Sequence, residues 1–442
     1  MVPMSVNKGL SLIFHLSSVS MFQNLGALFV KFTGAFITYL LMIYLSRYFG
    51  NAWLGHFSFL LSYSPVFILV MKAGTDIYLM KHASRYEANG SNGMARFLYF
   101  RLLKYHLLAG ALITLVGVLL TPYLITHYLP RYPHVRFFQI SIISVFWINL
   151  FILNYEFLRG EKQLLAYTFY STVSIFFFTL LFLLLQRLMG IQYDQQIAWS
   201  YLVAAILSFI ISFVHVMKMI ARMPSESIPG FRLPEVLKQS FPFFANNTVF
   251  VLLGSIDVFI LSKYVNPQEI GEYALMVKIA TFVSFPLLVL SANFAPKLAA
   301  ATEPRQLQQS ISRMTRWIAL ASLFIFFSIF GALDLLKDFL NIRQSGSSLI
   351  YVIISMGYLF SSVCAMNEVC LLMLGHEKLY QKIMIITLLI NFLFNLLLIP
   401  VFKELGAAIT QLLTLVFWNL AAVYFVKRKL HLSTALTINI KK

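Results

Sequence analysis

The chain has 442 residues, of which 60% are apolar and only 11% charged, and its formal net charge is +18. A soluble domain carries about 25% charged residues, so a soluble enzyme is excluded. The excess of 34 Lys and Arg over 16 Asp and Glu would point to a polyanion such as nucleic acid in a soluble protein. Whether it does so here depends on where the charges sit. Cys364 and Cys370 share one apolar segment on different helix faces. They read as small core hydrophobes, since neither a metal spacing nor a disulfide framework is present.

A spanning helix needs roughly 20 mostly apolar residues. In chain order, twelve segments qualify: 24–46, 56–76, 102–125, 138–158, 164–186, 197–217, 240–263, 273–296, 315–336, 349–374, 380–400 and 405–426. Their apolar runs are continuous, whereas a membrane barrel would alternate, so the expected class is an all-α integral membrane protein. The apolar stretch Leu10–Phe22 follows Lys8 and lacks a small-residue cleavage site, so it reads as an uncleaved lead-in to the first span.

The basic residues divide unevenly between the two sides. The N-terminus, every second loop and the C-terminus hold 23 of the 34, and the alternate loops hold 8: Arg47, Arg131, Arg136, Arg187, Lys263, Lys337, Arg343 and Lys403. Three lie within spans. By the positive-inside rule both termini are expected in the cytoplasm. Acids included, the cytoplasmic segments carry +17, the outer segments +3 and the spans −2. The +18 is therefore a topology signal, and no nucleic-acid partner is expected.

An offset of 216 residues aligns the chain with itself. Leu45-Ser46-Arg47-Tyr48 meets Leu261-Ser262-Lys263-Tyr264, and Leu54-Gly55-His56-Phe57 meets Ile270-Gly271-Glu272-Tyr273. Lys81 then falls opposite Lys297. The repeat joins spans one and two to spans seven and eight. It predicts two parallel six-helix bundles (1–220 and 239–442) joined by a cytoplasmic connector (221–238) and enclosing a central cavity, as in some transporters.

Ionisable groups inside spans are functional candidates by default. Asn24, Lys31 and Thr38 recur every seven residues on the first span. On the second, Ser58, Ser62, Pro65, Lys72 and Asp76 form a polar stripe, where the four-residue step from Lys72 to Asp76 also suits an intrahelical ion pair. Asp257 and Lys278 are expected at one depth on antiparallel neighbours, as a buried salt bridge or as a gate on the outer side, and Asn246 shares a face with Asp257. Glu156 precedes Arg159 by three residues, which suits pairing. Glu368 has no opposite charge on its own helix and is a candidate proton or cation site. Arg47 and Lys263, at helix C-terminal ends, suit the helix dipole and the headgroups. The histidines sit largely at span ends, and no His-based metal motif or phosphate loop occurs, so neither a metal nor an enzyme is expected.

Arg47-Tyr48-Phe49-Gly50 followed by Leu54-Gly55-His56-Phe57 resembles the first-outer-loop signature of polysaccharide flippases. The segment Ile256–Tyr264 with Gly271-Glu272-Tyr273-Ala274 resembles its counterpart in the second half, and Asn154–Gly160 resembles the end of the family's fourth helix. Val258 departs from the Arg or Lys that often follows this Asp. The resemblance is to the Wzx-type flippases of the multidrug/oligosaccharidyl-lipid/polysaccharide superfamily. Lys31 stands in the helix where the drug-exporting branch commonly has a carboxylate, which favours an anionic cargo.

The resemblance implies transfer of an undecaprenyl-pyrophosphate-linked glycan, such as an O-antigen unit, to the outer leaflet of a bacterial cytoplasmic (inner) membrane. A proton or sodium gradient would drive it, with no bound cofactor, and a polysaccharide polymerase complex is an expected neighbour. Lys31, Lys72, Lys278, Asn24 and Asn246 would hold the headgroup. Asp257, Glu368, Asp76 and Glu156 would couple ions or gate. Arg47, Gly50, Gly55, Lys263 and Gly271 form the outer-loop motif. The alternatives are a multidrug antiporter of the same superfamily and a membrane-embedded enzyme of glycan assembly.

Overall fold

The structure is a computed structural model. It describes residues 6–132, 134–193, 195–291, 304–343 and 346–435, with side chains described from residue 26 onward and, in the fourth stretch, from residue 306. Lys297 and the side chain of Asn24 lie outside the described residues. Among the described residues the elements are all helices: α1 (Val6–Tyr48), α2 (Asn51–Lys72), α3 (Thr75–Ala88), α4 (Asn92–Tyr128), α5 (Val135–Gly160), α6 (Leu164–Leu188) and α7 (Gln196–Ile220). These are followed by α8 (Leu233–Leu253), α9 (Ile256–Tyr264), α10 (Pro267–Ser291), α11 (Pro304–Gly331), α12 (Leu333–Phe339), α13 (Ser347–Val363), α14 (Asn367–Met373) and α15 (Glu377–Leu430).

Nine of these helices are long and apolar enough to cross a membrane, and the bent pairs α8–α9 (42°) and α13–α14 (47°) bring the number to 11. The last helix supplies one more. Its 54 residues would reach about 80 Å if straight, far beyond a hydrocarbon core of roughly 30 Å. Lys403 leaves helical geometry (φ 51°, ψ −125°), and the Asn391 Nδ2 donates to Thr414 Oγ1 at 3.0 Å. Residues 23 apart on a straight helix would be about 35 Å apart, so 377–402 and 404–430 form a hairpin. Twelve spans result among the described residues, the number the sequence predicts.

The second span departs from its predicted limits. It ends at Lys72, because Ala73 (φ 43°) and Gly74 (φ 78°) both take the left-handed conformation. Gly74 is needed there for space as well, since a Cβ would lie 2.5 Å from the Ser240 carbonyl oxygen. Asp76 therefore begins a separate helix, α3, and the polar stripe from Ser58 to Asp76 is broken.

The chain packs as two compact units. The first holds residues 1–42, 64–127 and 133–247, and the second holds 43–63, 128–132 and 248–442. In the first, α5 is the central helix and packs on α3, α6 and α7. Phe151, Phe157, Leu98, Tyr99 and Leu102 fill the core. In the second, the α13–α14 pair packs against α15, around Met366, Cys370, Ile383 and Val426. Both cysteines are free and buried.

Within the second unit the 216-residue repeat becomes a physical contact. A Cβ on Gly55 would stand 1.7 Å from the Pro267 carbonyl oxygen, and one on Gly271 would stand 2.1 Å from the Asn51 carbonyl oxygen. Positions 51 and 267 are themselves 216 apart, as are 55 and 271. Each half thus presents the same two residues to the other, the reciprocity of a two-fold contact. Only glycine lets the two backbones meet so closely.

Candidate functional site

The first unit concentrates charge at the break between α2 and α3. Lys72 Nζ donates to Asp76 Oδ2 at 2.6 Å, with the Asp76 side chain only 3% exposed. The pair inferred from the four-residue step is present, but it bridges two helices across the break. Asp76 also sits in the first turn of α3, where the helix dipole favours an anion. Thr75 Oγ1 donates to the Lys72 carbonyl at 2.7 Å and lies 2.9 Å from His106 Nε2. A hydroxyl has one proton to give, so His106 donates through Nε2–H. Its Nδ1 is then a buried acceptor without a hydrogen-bond partner among the described residues. Asn149 Nδ2 donates to the His106 carbonyl at 3.3 Å and ties this cluster to α5.

Glu156, also on α5, is paired with Arg159 at 3.3 Å and lies within the field of Asp76. Lys72, Asp76, His106 and Glu156 thus gather on four helices within one unit. Such a cluster can hold a fixed charge inside the bundle or move a proton between its members. Lys31 stands apart: it is exposed on α1, three residues before Gly34, whose Cα packs against the Thr172 carbonyl. Asn246 is exposed on α8. The α8–α9 break at Gly254–Ser255 interrupts the helix before Asp257, so the eleven-residue spacing no longer measures a common face.

In the second unit Asp257 and Glu368 take their hydrogen bonds from neutral donors. Tyr273 Oη donates to Asp257 Oδ2 at 3.1 Å and the Val258 N–H to Oδ1 at 2.8 Å. Tyr273 is on α10 five residues before Lys278, so a tyrosine occupies the contact expected of the lysine. Lys278 is exposed. Glu368 Oε1 accepts from Tyr380 Oη at 3.2 Å. It lines a cavity of about 310 Å³ at the α13–α14 break, with Ser361, Asn367, Trp418 and Asn419. Met366 (φ 75°) makes that break, and Asn419 Nδ2 donates to Ser361 Oγ at 2.8 Å. Asn395 Nδ2 donates to Asn391 Oδ1 at 3.0 Å within the final hairpin. Among the described residues no cluster of His, Cys, Asp and Glu is arranged to hold a metal.

The loop motif is only partly assembled. Gly55 and Gly271 meet in the crossing. Gly50 (φ 88°) makes the turn between α1 and α2. The Arg47 guanidinium lies 4.5 Å over the Phe339 ring, and the Lys263 carbonyl accepts from Arg131 at 3.0 Å. Asn51 Nδ2 donates to the Asn341 carbonyl at 2.9 Å and Ser46 Oγ to the Leu340 carbonyl at 2.8 Å, fastening the loop to the end of α12.

Sequence reasoning missed His106, Thr75, Asn149 and the tyrosines opposite the two acids. His106 carried a usable signal, since it is an ionisable residue inside the predicted span 102–125.

Among curated protein sequences none matches significantly. Structural likeness is extensive: a lipid II flippase MurJ in an inward closed conformation aligns with TM-score 0.67 at 14% identity, over 92% of this chain and 87% of that one. An inward-facing multidrug resistance MATE family transporter of the MOP superfamily aligns with TM-score 0.69 at 12% identity, over 90% and 98%. The Vibrio cholerae MATE transporter VcmN in its bent form gives 0.57 at 15%, over 92% and 98%. At these identities the likeness establishes the fold alone, one shared with a lipid II flippase and with MATE transporters. A family model described as polysaccharide biosynthesis protein matches residues 23–295. More than half of the chain is matched, and the chain belongs to the polysaccharide biosynthesis protein family.

Proposed function

We propose that this protein is a flippase that turns a polyprenyl-pyrophosphate-linked oligosaccharide from the cytoplasmic to the outer leaflet of a bacterial inner membrane, by ion-coupled alternating access. The observation that carries this reading is the joint one: membership of a polysaccharide biosynthesis family in a chain with the fold of a lipid II flippase. The physics supports it. A pyrophosphate cannot cross hydrocarbon without groups that replace its hydration. Lys31, exposed on α1, Lys72, held by Asp76, and Lys278 of the second unit are the cations assigned to it. Asn24 and Asn246 would supply neutral contacts. Asp257 and Glu368 take the ion-coupling role, with Asp76 and Glu156 as internal charge partners. The side bearing the basic loops, with both termini, faces the cytoplasm.

Deletion followed by analysis of lipid-linked oligosaccharides tests the reading. Accumulation of the complete repeat unit on the cytoplasmic leaflet is expected, whereas an altered repeat unit would point to an enzyme. Lys31→Ala, expressed normally, is expected to slow export at least tenfold; full-rate export would remove the headgroup role. The MATE likeness favours a multidrug antiporter as the second reading, and resistance to cationic dyes on overexpression would select it. The first span, however, carries Lys31 and no acid.

A further inference from the structure

The start of α4 and the loop before α8 build a second basic feature, apart from the buried charges. Arg96 Nη1 donates to the Met223 carbonyl at 3.1 Å. Gly93 lies so close to Glu226 that a Cβ would sit 2.6 Å from its Cγ. Phe97 meets Phe231 edge to face at 5.6 Å, and the Arg101 guanidinium lies over both rings, at 5.0 and 5.9 Å. Loop and helix thus clamp each other, and a cavity of about 370 Å³ is left between them, lined by Arg96, Arg101, Lys104, Phe100 and, from the loop, Ser225 and Glu226. Three cations face one carboxylate. Two of the three are oriented in advance, by a backbone carbonyl and by aromatic rings, so little ordering cost remains when an anion arrives.

The same face of α4 changes character one turn further on. Arg96, Phe100, Lys104 and Leu108 follow at four-residue steps, one stripe of a helix. Beyond Lys104 the exposed residues include Leu107, Leu108, Leu112 and Leu115, between 42% and 65% exposed. A basic cavity thus opens directly onto a lipid-facing apolar strip, the pattern of a ligand with an anionic head and long hydrocarbon chains.

We propose that Arg96, Arg101 and Lys104 form a binding site for the phosphate of an anionic membrane lipid whose chains lie along the Leu107–Leu115 face of α4. The site lies wholly within the first unit and does not depend on the transport reading. A bulk phospholipid and a prenyl pyrophosphate offer the same chemistry.

Full-length protein in phosphatidylcholine nanodiscs containing 20% phosphatidylglycerol, analysed by native mass spectrometry after detergent release, tests the proposal. The wild type is expected to retain phosphatidylglycerol in preference to phosphatidylcholine. Arg101→Gln with Lys104→Gln is expected to weaken that retention roughly 25-fold, at about 1 kcal/mol per cation near an anionic lipid. Arg101→Lys with Lys104→Arg should keep most of it, and Glu226→Gln, which removes the opposing charge, should strengthen it. Equal retention by wild type and the double Gln variant overturns the proposal. If the double Gln variant fails to fold, unchanged retention in Glu226→Gln does the same. Competition separates the sources. Farnesyl pyrophosphate displacing phosphatidylglycerol at tenfold lower concentration than added phosphatidylglycerol assigns the site to a pyrophosphate lipid, and the reverse assigns it to bulk phospholipid. Inorganic pyrophosphate competing as well as farnesyl pyrophosphate would mean that the site reads a free anion, and the lipid proposal fails.

Discussion

The two units partner their candidate carboxylates differently. In the first, Asp76 and Glu156 each face a cation, at 2.6 and 3.3 Å, and His106 lies behind them. In the second, Asp257 and Glu368 are each met by a tyrosine hydroxyl, at 3.1 and 3.2 Å. A cation-paired carboxylate is already neutralised, and its geometry is set by its partner. A carboxylate held by a neutral hydroxyl keeps its charge demand, so a proton or a small cation can still answer it. On the proposed reading, Asp76 and Glu156 serve as fixed charge partners and Asp257 and Glu368 as the acids that exchange.

Breaking the Lys72–Asp76 pair is the largest test of that contrast. Asp76→Ala leaves a lysine only 14% exposed without its counter-ion, and single removal from a buried pair costs about 3–5 kcal/mol. A large fall in thermal midpoint in detergent is expected, with most of it recovered in Asp76→Asn combined with Lys72→Met. If the double variant is no better than the single, the pair is not what holds the α2–α3 break. The tyrosines give a smaller effect. Tyr273 is fully buried, so Tyr273→Phe should cost about 1.5 kcal/mol for a lost bond to a charged group. Tyr380→Phe should cost clearly less, because Glu368 opens into a cavity where water can replace the hydroxyl. Equal costs would show Glu368 to be a sealed packing acid and would remove it as the exchange site.

The parts of this arrangement that rest on hydrophobic run length were legible in the sequence, and so was the repeat. Twelve runs of about 20 apolar residues leave a chain few other ways to lie in a bilayer, and Gly55 and Gly271 in register at 216 are the residues that meet. The break after Lys72 was not legible from periodicity, because the polar stripe keeps its spacing straight through it. Its trace is local: a glycine followed by Thr75 and Asp76, which is the start signal of a new helix. Pairing between distant helices was legible only in part. Asp257 was marked by its charge, but its partner turned out to be Tyr273, and the sequence gives no reason to rank that hydroxyl above Lys278. Hydroxyl and amide partners such as Thr75, Asn149 and Tyr380 carry no periodic or charge signal, so only tertiary packing identifies them.

The smallest expected effect concerns a third kind of acid. Among the described residues Glu161, in the short turn between α5 and α6, has neither a cation nor a hydroxyl to itself, because Lys162 is paired with Glu87 and Glu161 Oε1 is buried without a hydrogen bond. Burial, and then the neighbouring Glu87 charge, push its carboxyl up to about 7, with Lys162 pulling partly the other way. In the unfolded chain it would titrate near the ordinary value of 4.5. The folded state therefore binds the proton more tightly, and this contribution to stability is complete below about pH 4.5 and is lost as pH rises towards 7. Glu161→Gln, which mimics the protonated side chain, should leave the thermal midpoint unchanged at pH 5 and raise it by a few degrees at pH 8. A gain of equal size at both pH values would mean that the glutamine improves packing and that Glu161 carries no buried charge. Glu87→Gln should recover part of the same gain at pH 8 by removing the like charge, although it also gives up the Lys162 pair. The net effect of that second substitution is expected to be the smaller of the two.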